Sequence, residues 1–294
     1  MGWAEAMNAT ARRPGLGILL AILATLCFAL LDTASQYAGR LAVPVLMAIW
    51  FRFAIQTLMT TALLWPQYRR RLFQTQAPRA QLARGLLMVG SFGFSFLSLR
   101  FLPVGEFTAI MMLIPLAVTL LASLILRERV SPLGWLLVAG GFSGALIVIR
   151  PHGSDFHLGM LLPLLSVLIN ALLQVLTSRM VRTEDPGVTH FYTGLTGLAC
   201  TSLVVPLGWQ WLADWRQWAA IALMGLFGSI GHFLLIKAFQ QTPASRVAPY
   251  LYAQIGFATL AGWAAFGHAP DALALLGIAV IALCGLAGAR LKRS

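Results

Sequence analysis

Long apolar runs, each close to the length needed to cross a bilayer, constrain this chain more than any other feature. A hydrocarbon core needs roughly 20 apolar residues per helix, and the first such run occupies residues 16–40 with one carboxylate, Asp32, inside it. Hydrophobic residues make up 59% of the 294 residues and charged residues 10%, whereas about a quarter of the residues in soluble domains are charged. The sequence therefore predicts a membrane protein.

The runs predict an all-α membrane protein with ten transmembrane helices joined by short loops. Spanning β-strands would be about half as long and would alternate apolar with polar residues, and these runs do neither. The predicted spans are residues 15–38, 44–65, 82–101, 104–126, 132–149, 158–180, 188–207, 217–239, 246–266 and 270–289.

The first run has a second copy later in the chain. At an offset of 142 residues, LGILLAILATLCFALLDTASQYAGR is matched by LGMLLPLLSVLINALLQVLTSRMVR. The register persists into the next span, where Pro44 falls on Pro186, and an offset of 140 then places Pro103 on Pro243. One unit of about 140 residues is therefore predicted to occur twice.

This repeat sets the predicted domain organisation. Residues 1–14 form a cytoplasmic N-terminal segment, residues 15–150 the first repeat and residues 157–290 the second. Because each repeat has an odd number of spans, the two five-helix repeats must cross the membrane in opposite senses. Inverted repeats of this kind are found in many secondary transporters, which bind their substrates near the midplane between the repeats.

The basic residues are distributed unequally between the two sides of the predicted membrane. Of the 21 Lys and Arg residues, 16 fall on one side of the predicted membrane, four on the other, and Arg52 lies inside a span. This asymmetry is the positive-inside pattern, which predicts a cell (inner) membrane protein with both termini in the cytoplasm. The net charge of +12 thus reflects topology, and no nucleic-acid partner is predicted. The 16 residues are Arg12, Arg13, Arg69, Arg70, Arg71, Arg79, Arg84, Arg127, Arg129, Arg179, Arg182, Lys237, Arg246, Arg290, Lys292 and Arg293.

Polar residues line one face of span 1 and one face of its counterpart, span 6. Lipid tolerates such stripes poorly, so both are predicted to face the interior. Two interpretations remain open: hydrogen bonding between helices and the lining of a solute cavity. The residues are Thr25, Asp32 and Gln36 in span 1, and Ser166, Asn170, Gln174 and Thr177 in span 6.

Asp32 and Arg52 are two charged residues that the sequence places inside predicted spans. Their depths in spans 1 and 2 match within roughly 3 Å at 1.5 Å per residue, so an ion pair between them is feasible. A charge at mid-membrane costs about 2.5–3.5 kcal/mol on insertion scales, and such residues usually pair or line a pathway. A structural pair and a substrate or proton site are both compatible with this spacing.

Spans 8 and 9 supply three further candidates. His232 lies deep in span 8 and is either a satisfied core histidine or a group that contacts protons or ligand. Tyr250 and Gln254 share a predicted face of span 9, suited either to packing or to the wall of a solute pocket. By contrast, His190, near the cytoplasmic end of span 7, is predicted to contact water. Pro115 is predicted to kink span 4.

Several sequence features limit the function. The chain has no GxxxxGK[ST] loop and no HExxH motif, and no acidic cluster has metal-ligand spacing. No catalytic residue, metal or cofactor is therefore predicted, and the protein is not predicted to be an enzyme. Cys27, Cys200 and Cys284 lie within spans and are predicted to be unpaired. The glycine-rich spans 5 and 10 are predicted to be packing helices that hold each half together.

The pattern resembles the drug/metabolite transporter superfamily, in particular its EamA-type carriers. The resemblance lies in FRF at residues 51–53, in residues 101–149, from FLPVGEF to GALIVI, and in residues 229–271, from SIGHFLL to FGHAPD. It covers essentially the whole chain, with His268 standing where the family often has Glu. The resemblance implies a carrier of small metabolites, commonly an exporter, whose cavity is lined by spans 1, 3, 4, 6, 8 and 9 and opens alternately to each side.

These observations predict a secondary active or facilitative transporter, expected to export amino acids or related amphipathic solutes. The predicted substrate-binding residues are Asp32, Arg52, Asn170, Gln174, His232, Tyr250 and Gln254. Coupling to protons or to a counter-solute is left open, as is the choice between monomer and homodimer. Two alternatives remain: an importer of a vitamin or nucleobase, and a non-transporting membrane subunit or lipid-carrier partner.

Overall fold

A computed structural model describes residues 13–98, 110–149, 161–267 and 271–290. Most of the predicted N-terminal segment, His268 and the charges Arg12, Arg100, Arg150, Lys292 and Arg293 lie outside these residues. Within them the chain forms eleven α-helices: α1 Pro14–Arg40, α2 Val45–Tyr68, α3 Pro78–Ser98, α4 Ile114–Ile125, α5 Pro132–Ile149, α6 Leu161–Met180, α7 Pro186–Val204, α8 Trp215–Gln241, α9 Ala244–Leu251, α10 Ala253–Phe266 and α11 Ala272–Arg290.

The helices begin where the local sequence favours it. Asp185 caps α7 by accepting hydrogen bonds from the backbone N–H groups of Gly187 and Val188, and Pro186 follows at the first helical position, where a missing N–H costs nothing. Asp214 and Gln217 form a capping box at the start of α8. Such caps satisfy backbone donors that the helix itself cannot satisfy.

Five stretches of the described chain are long and apolar enough to cross a membrane. The helices 114–125, 132–147 and 272–284 are apolar but shorter. The protein is thus all-helical and multi-pass, whereas ten spans in two inverted repeats remain a prediction. The five stretches are Pro14–Arg40, Val45–Phe73, Leu161–Met180, Pro186–Gly208 and Trp215–Gln241.

The start of α1, the end of α8, residues 69–77 and residues 181–185 lie at one end of the bundle. This end is called the basic end below. There the start of α1 meets the end of α8, since the backbone N–H of Arg13 donates to Gln241 and the hydroxyl of Thr242 donates to the carbonyl of Pro14. Residues 69–77, between α2 and α3, meet residues 181–185, between α6 and α7. Accordingly, α1 runs away from the basic end and α6 runs toward it.

Most of the packing joins the first half of the chain to the second. Helix α1 packs on α8 and α10, α3 on α6, α4 on α6 and α9, α2 on α7, and α5 on α11. Each helix of one half corresponds to a helix of the other, α1 to α6 and α3 to α8. When every helix is replaced by its counterpart, the same set of packed pairs results: the α1–α8 pair, for example, becomes the α3–α6 pair. Inverted repeats would produce such a pattern.

Two predicted spans are interrupted. Span 4 was predicted to run from 104 to 126 with a kink at Pro115, and in the structure a turn at Met112 separates residues 110–111 from α4. Pro115 lies at the start of α4, and it has no N–H to donate to the carbonyl of Met111. Span 9 breaks at Tyr252, between α9 and α10. Under the 140-residue offset the two breaks coincide, and the hydroxyl of Tyr252 donates to the carbonyl of Met112 at 3.1 Å.

The glycine-rich helices hold the two halves to each other, and the expectation that each stabilises its own half is wrong. A Cβ at Gly144 of α5 would lie 2.9 Å from the carbonyl oxygen of Gly277 and 2.9 Å from the side chain of Ile281 in α11. A Cβ at Gly140 would similarly meet Cys284 at 2.6 Å. The close approach of α5 and α11 therefore depends on positions without side chains.

We predict that Gly144→Val lowers the melting temperature of the purified protein, because the new side chain must push α11 away. Overpacking of this kind costs about 1–3 kcal/mol. Gly39→Ala is the matched control, because nothing lies within 4 Å of a Cβ at this position of α1. Melting is measured by scanning fluorimetry in detergent. Equal melting temperatures for the two variants would contradict the close packing of α5 and α11.

Candidate functional site

Asp32 presents its carboxylate to open space. Helix α1 exposes Asp32, and its Oδ2 accepts a hydrogen bond of 2.7 Å from the side-chain amide of Gln254 in α10. The two residues come from different halves of the chain. An amide partner leaves the negative charge uncancelled, so the carboxylate remains able to bind a cation or hydrogen-bond donors.

Arg52 is held in the interior by three helices. Its side chain is 5% exposed, its Nη2 lies 2.8 Å from Nε2 of His232 in α8, and its guanidinium lies 3.9 Å from the ring centroid of Phe92 in α3. Because a guanidinium only donates, Nε2 of His232 must accept, which places the imidazole proton on Nδ1. Gly228 makes room for this arrangement, since a Cβ there would lie 2.8 Å from Nε of Arg52.

The feasible ion pair between Asp32 and Arg52 is not formed. The two side chains interact electrostatically, but each has its hydrogen bond elsewhere, Asp32 with Gln254 and Arg52 with His232. Matching depth in the membrane was a correct requirement for contact but an insufficient one. The direction of the Arg52 side chain, fixed by His232 and Phe92, decides the partner.

The polar residues of span 6 bind one another and α3. The amide of Gln174 donates to Oδ1 of Asn170 at 2.9 Å, and the amide of Asn170 donates to the hydroxyl of Ser91 at 3.3 Å. Oε1 of Gln174 and the hydroxyl of Ser166 are buried without a partner among the described residues. Both interpretations of this stripe are therefore compatible with the geometry, because it links helices and keeps unsatisfied acceptors.

Tyr250 and Gln254 do not share one continuous helical face, because the break at Tyr252 separates them. Tyr250 lies in α9 with its hydroxyl buried and without a hydrogen-bond partner in the described part of the chain. Gln254 lies in the first turn of α10. Tyr250 and Gln254 were predicted to lie on one face of span 9, and in the structure they lie on either side of the break at Tyr252.

Six of the seven predicted residues form three hydrogen-bonded pairs: Asp32 with Gln254, Arg52 with His232, and Asn170 with Gln174. The ring of Phe28, one turn before Asp32 in α1, lies 4.8 Å from the His232 ring. Phe92, which covers Arg52, is adjacent in sequence to Ser91, the partner of Asn170. The three pairs are therefore neighbours partly through ring contacts and partly through their positions on α1 and α3. Tyr250 belongs to none of the three pairs.

His190 was expected to contact water and is instead buried, with 2% of its surface exposed. Its Nε2 lies 3.1 Å from the hydroxyl of Ser229 in α8, and its carbonyl accepts from the side chain of Gln56 at 3.1 Å. One feature of the sequence indicates this cluster, since Gln56 lies one helical turn after Arg52. Because His190 lies near the end of its predicted span, its position in the sequence did not indicate that it is buried.

Two carboxylates join the halves at the basic end. Glu184, before α7, accepts hydrogen bonds from the hydroxyl of Thr75, the backbone N–H of Gln76 and the side chain of Gln81, at 2.8, 2.8 and 3.1 Å. Glu128, after α4, accepts from the backbone N–H and the hydroxyl of Ser245 at 3.0 and 2.6 Å. Neither residue was predicted to belong to a functional site.

Arg84 reinforces the same end from inside. It was counted among the charges outside the membrane core, but it is 2% exposed. It donates to the hydroxyls of Thr177 and Thr193 and to the carbonyl of Thr189. These contacts tie α3 to α6 and α7.

Comparison with known proteins assigns the family. The model of the EamA-like transporter family matches residues 15–150 and again residues 157–289. The chain belongs to the EamA-like transporter family. Its relatives and the family are named as transporters rather than enzymes, and the described residues contain no group of His, Cys, Asp and Glu able to hold a metal ion.

Three relatives illustrate the range of named cargo. The riboflavin transporter of Vibrio cholerae is 27% identical over 91% of this chain and 90% of its own length. The S-adenosylmethionine uptake transporter of Rickettsia bellii is 27% identical over 94% of each chain. The pseudopaline exporter of Pseudomonas aeruginosa is 27% identical over 94% of this chain and 97% of its own. A solved crystal structure shares the fold with a TM-score of 0.79 at 20% identity, covering 94% of this chain and 98% of that one.

We predict strong energetic coupling between Arg52 and His232. His232→Phe leaves the buried guanidinium without its acceptor and should lower the melting temperature, because an unsatisfied buried charged group costs more than about 1–3 kcal/mol. Arg52→Met in addition removes the cation, so the double variant should lose less stability than the two single variants summed. A double-mutant cycle of melting temperatures measures this coupling. Strict additivity would contradict the contact.

Proposed function

We propose that this EamA-like transporter carries a small, cation-bearing metabolite, such as an amino acid or a related amphipathic solute, by alternating access. The observation that carries the proposal is the exposed carboxylate of Asp32, held by Gln254 of the other half. A carboxylate that has no cationic partner within 4 Å among the described residues suits a solute that brings its own positive charge.

The surrounding groups suit an amphipathic solute. Phe28 and Phe92 supply apolar ring surface next to His232 and Arg52, while the amides of Asn170 and Gln174 supply neutral hydrogen-bonding groups. Pockets for small molecules combine such apolar walls with a few orienting polar groups. Arg52 is enclosed by its neighbours, so its role in the proposal is to set the local potential and the position of His232.

The interrupted helices support a transport mechanism in which the two halves move. The breaks at Met112 and Tyr252 occupy equivalent positions in the proposed repeats and contact each other. Discontinuous helices at corresponding positions of two inverted halves are a common location of transporter substrate sites. The exchangeable pairing of helices between the halves agrees with the same architecture.

The two ends of the bundle differ as alternating access requires. At the basic end, Glu184 and Glu128 join the halves through hydrogen bonds. Toward the opposite end, α1 exposes Asp32, Gln36 and Tyr37. We therefore propose that the basic end is closed in this conformation and that the solute reaches Asp32 from the opposite side. On the charge distribution, the basic end is proposed to face the cytoplasm of a cell whose inner membrane holds the protein.

Import of a vitamin or cofactor is the second candidate. Relatives named as riboflavin transporters and S-adenosylmethionine uptake transporters favour it, whereas the relative named as a pseudopaline exporter favours the proposed outward direction. An amino-acid moiety and a cationic group would engage Asp32, while riboflavin would rely on ring surfaces. Cation-bearing solutes, S-adenosylmethionine included, should therefore depend on this carboxylate, whereas riboflavin should not.

We predict that Asp32→Asn abolishes stabilisation of the purified protein by cation-bearing ligands. The probes are amino acids, S-adenosylmethionine and riboflavin in a thermal-shift screen, since a ligand that binds the folded state raises its melting temperature. A hydrogen bond to a charged group contributes about 1.5–3 kcal/mol, so affinity should fall about 10- to 100-fold.

Asp32→Glu keeps the charge and should restore part of the effect, which excludes simple misfolding as the cause. Uptake and counterflow of the stabilising ligand in oriented vesicles then give the direction of transport. Unchanged binding by Asp32→Asn would remove the carboxylate from the solute site, and stabilisation by riboflavin alone would favour the second candidate.

We also predict that Glu184→Gln opens the basic end. The carboxylate accepts from three donors across the half interface, and replacing one oxygen with an amide removes acceptors from that set. In this variant, hydrogen exchange at the backbone N–H of Gln76 should accelerate. In the Glu128→Gln variant, exchange at the backbone N–H of Ser245 should accelerate for the same reason. Arg129→Gln, on the exposed surface beside Glu128, is the control. Unaltered exchange in both glutamate variants would show that these contacts do not close the bundle.

A further inference from the structure

A crevice between α2 and α8 lies apart from the candidate solute site. The two helices touch where Ile55 packs against Gly225. Beyond this contact, toward the basic end, a cavity of about 140 Å³ opens between Met59 and Leu63 on α2 and Ile230 and Phe233 on α8. Helix α7 closes its back with His190. The crevice is thus a separate space, one that the transport proposal does not use.

The wall of the crevice is apolar almost throughout. The polar residues at its back have their hydrogen bonds elsewhere: the hydroxyl of Thr60 donates to the carbonyl of Gln56 at 2.7 Å, and His190 and Ser229 bond each other at 3.1 Å. Apolar cavities of roughly this size stay dry and accept apolar molecules. The expected occupant is therefore a hydrocarbon group rather than water or a polar solute.

The mouth of the crevice is on the outer surface of membrane-length helices. Leu63 at its rim is 64% exposed, and both α2 and α8 belong to the stretches able to cross a bilayer. Lipid therefore faces the mouth. Lys237 is exposed one turn beyond Phe233, and its Nζ lies 5.4 Å from the Phe233 ring centroid. Arg69, at the end of α2, is also exposed at the basic end.

We propose that this crevice binds an anionic phospholipid of the leaflet at the basic end. One acyl chain lies between α2 and α8, and the phosphate group is held by Lys237. The two contacts are independent: the apolar wall selects the acyl chain, and the cation beside the mouth selects a negative headgroup. Basic residues next to gaps between transmembrane helices recognise anionic lipids in this way.

The test of the headgroup uses the purified full chain and two lipids with the same acyl chains, phosphatidylglycerol and phosphatidylcholine. Native mass spectrometry should detect tighter binding of phosphatidylglycerol. Lys237→Gln should weaken that binding about fivefold, since a Lys near the surface contributes about 1 kcal/mol. Arg246→Gln removes the same charge from the exposed surface of α9 and should leave binding unchanged. Equal losses in the two variants would overturn the site and indicate general attraction to a basic surface.

The test of the acyl chain compares two tryptophan variants of α2. Leu63→Trp covers the mouth of the crevice and should reduce binding of phosphatidylglycerol. Leu58→Trp, on the same helix at a position that is 71% exposed and outside the crevice, should not. Binding that is insensitive to Leu63→Trp would overturn the proposal. Neither experiment depends on the transported solute, so failure here leaves the proposed transport function untouched.

Discussion

The burial of the Arg52 guanidinium is the constraint on which the arrangement of the surrounding helices depends. A cation within a membrane-length helix is costly unless its donors and its charge find partners inside the protein. His232 of α8 accepts one donor, Phe92 of α3 covers the charge, and Gly228 leaves the space in which the side chain lies. Nε of Arg52 has no hydrogen-bond partner among the described residues, and Asp32 has an amide partner and an exposed carboxylate. One charge is thus enclosed by its neighbours, whereas the other, which we propose contacts the solute, is exposed.

The same requirement organises the basic end. Glu184 and Arg84 are almost fully buried, so each must be surrounded by donors or acceptors. Those of Glu184 come from the first half of the chain, those of Arg84 from α6 and α7. Among the described residues, these hydrogen bonds between the halves lie at one end, while the carboxylate of Asp32 remains exposed toward the other. A transporter that alternates between two closures needs interactions of this kind, strong enough to hold and able to be exchanged.

Close packing between helices also holds the two halves together, and the sequence indicated this packing only in part. Small residues in spans 5 and 10 were correctly associated with helix contacts, yet their partners lie in the opposite half, as Gly144 and Ile281 illustrate. The break at Tyr252 was not predicted, because its tyrosine is compatible with a helix and its hydroxyl is satisfied only by Met112, 140 residues away. His190 was misplaced for a similar reason, since its burial is produced by Gln56 and Ser229 on other helices.

The sequence by itself determined the class of the protein, the approximate extent of its helices and the residues too polar to face lipid. These properties follow from the length of each apolar run and from the cost of charges in hydrocarbon, which are local quantities. Only the tertiary structure decided which polar residues meet: Asp32 with Gln254 rather than Arg52, and Arg52 with His232. The physical reason is that periodicity fixes the face and depth of a side chain on its own helix, whereas its partner depends on how neighbouring helices rotate and pack against that face.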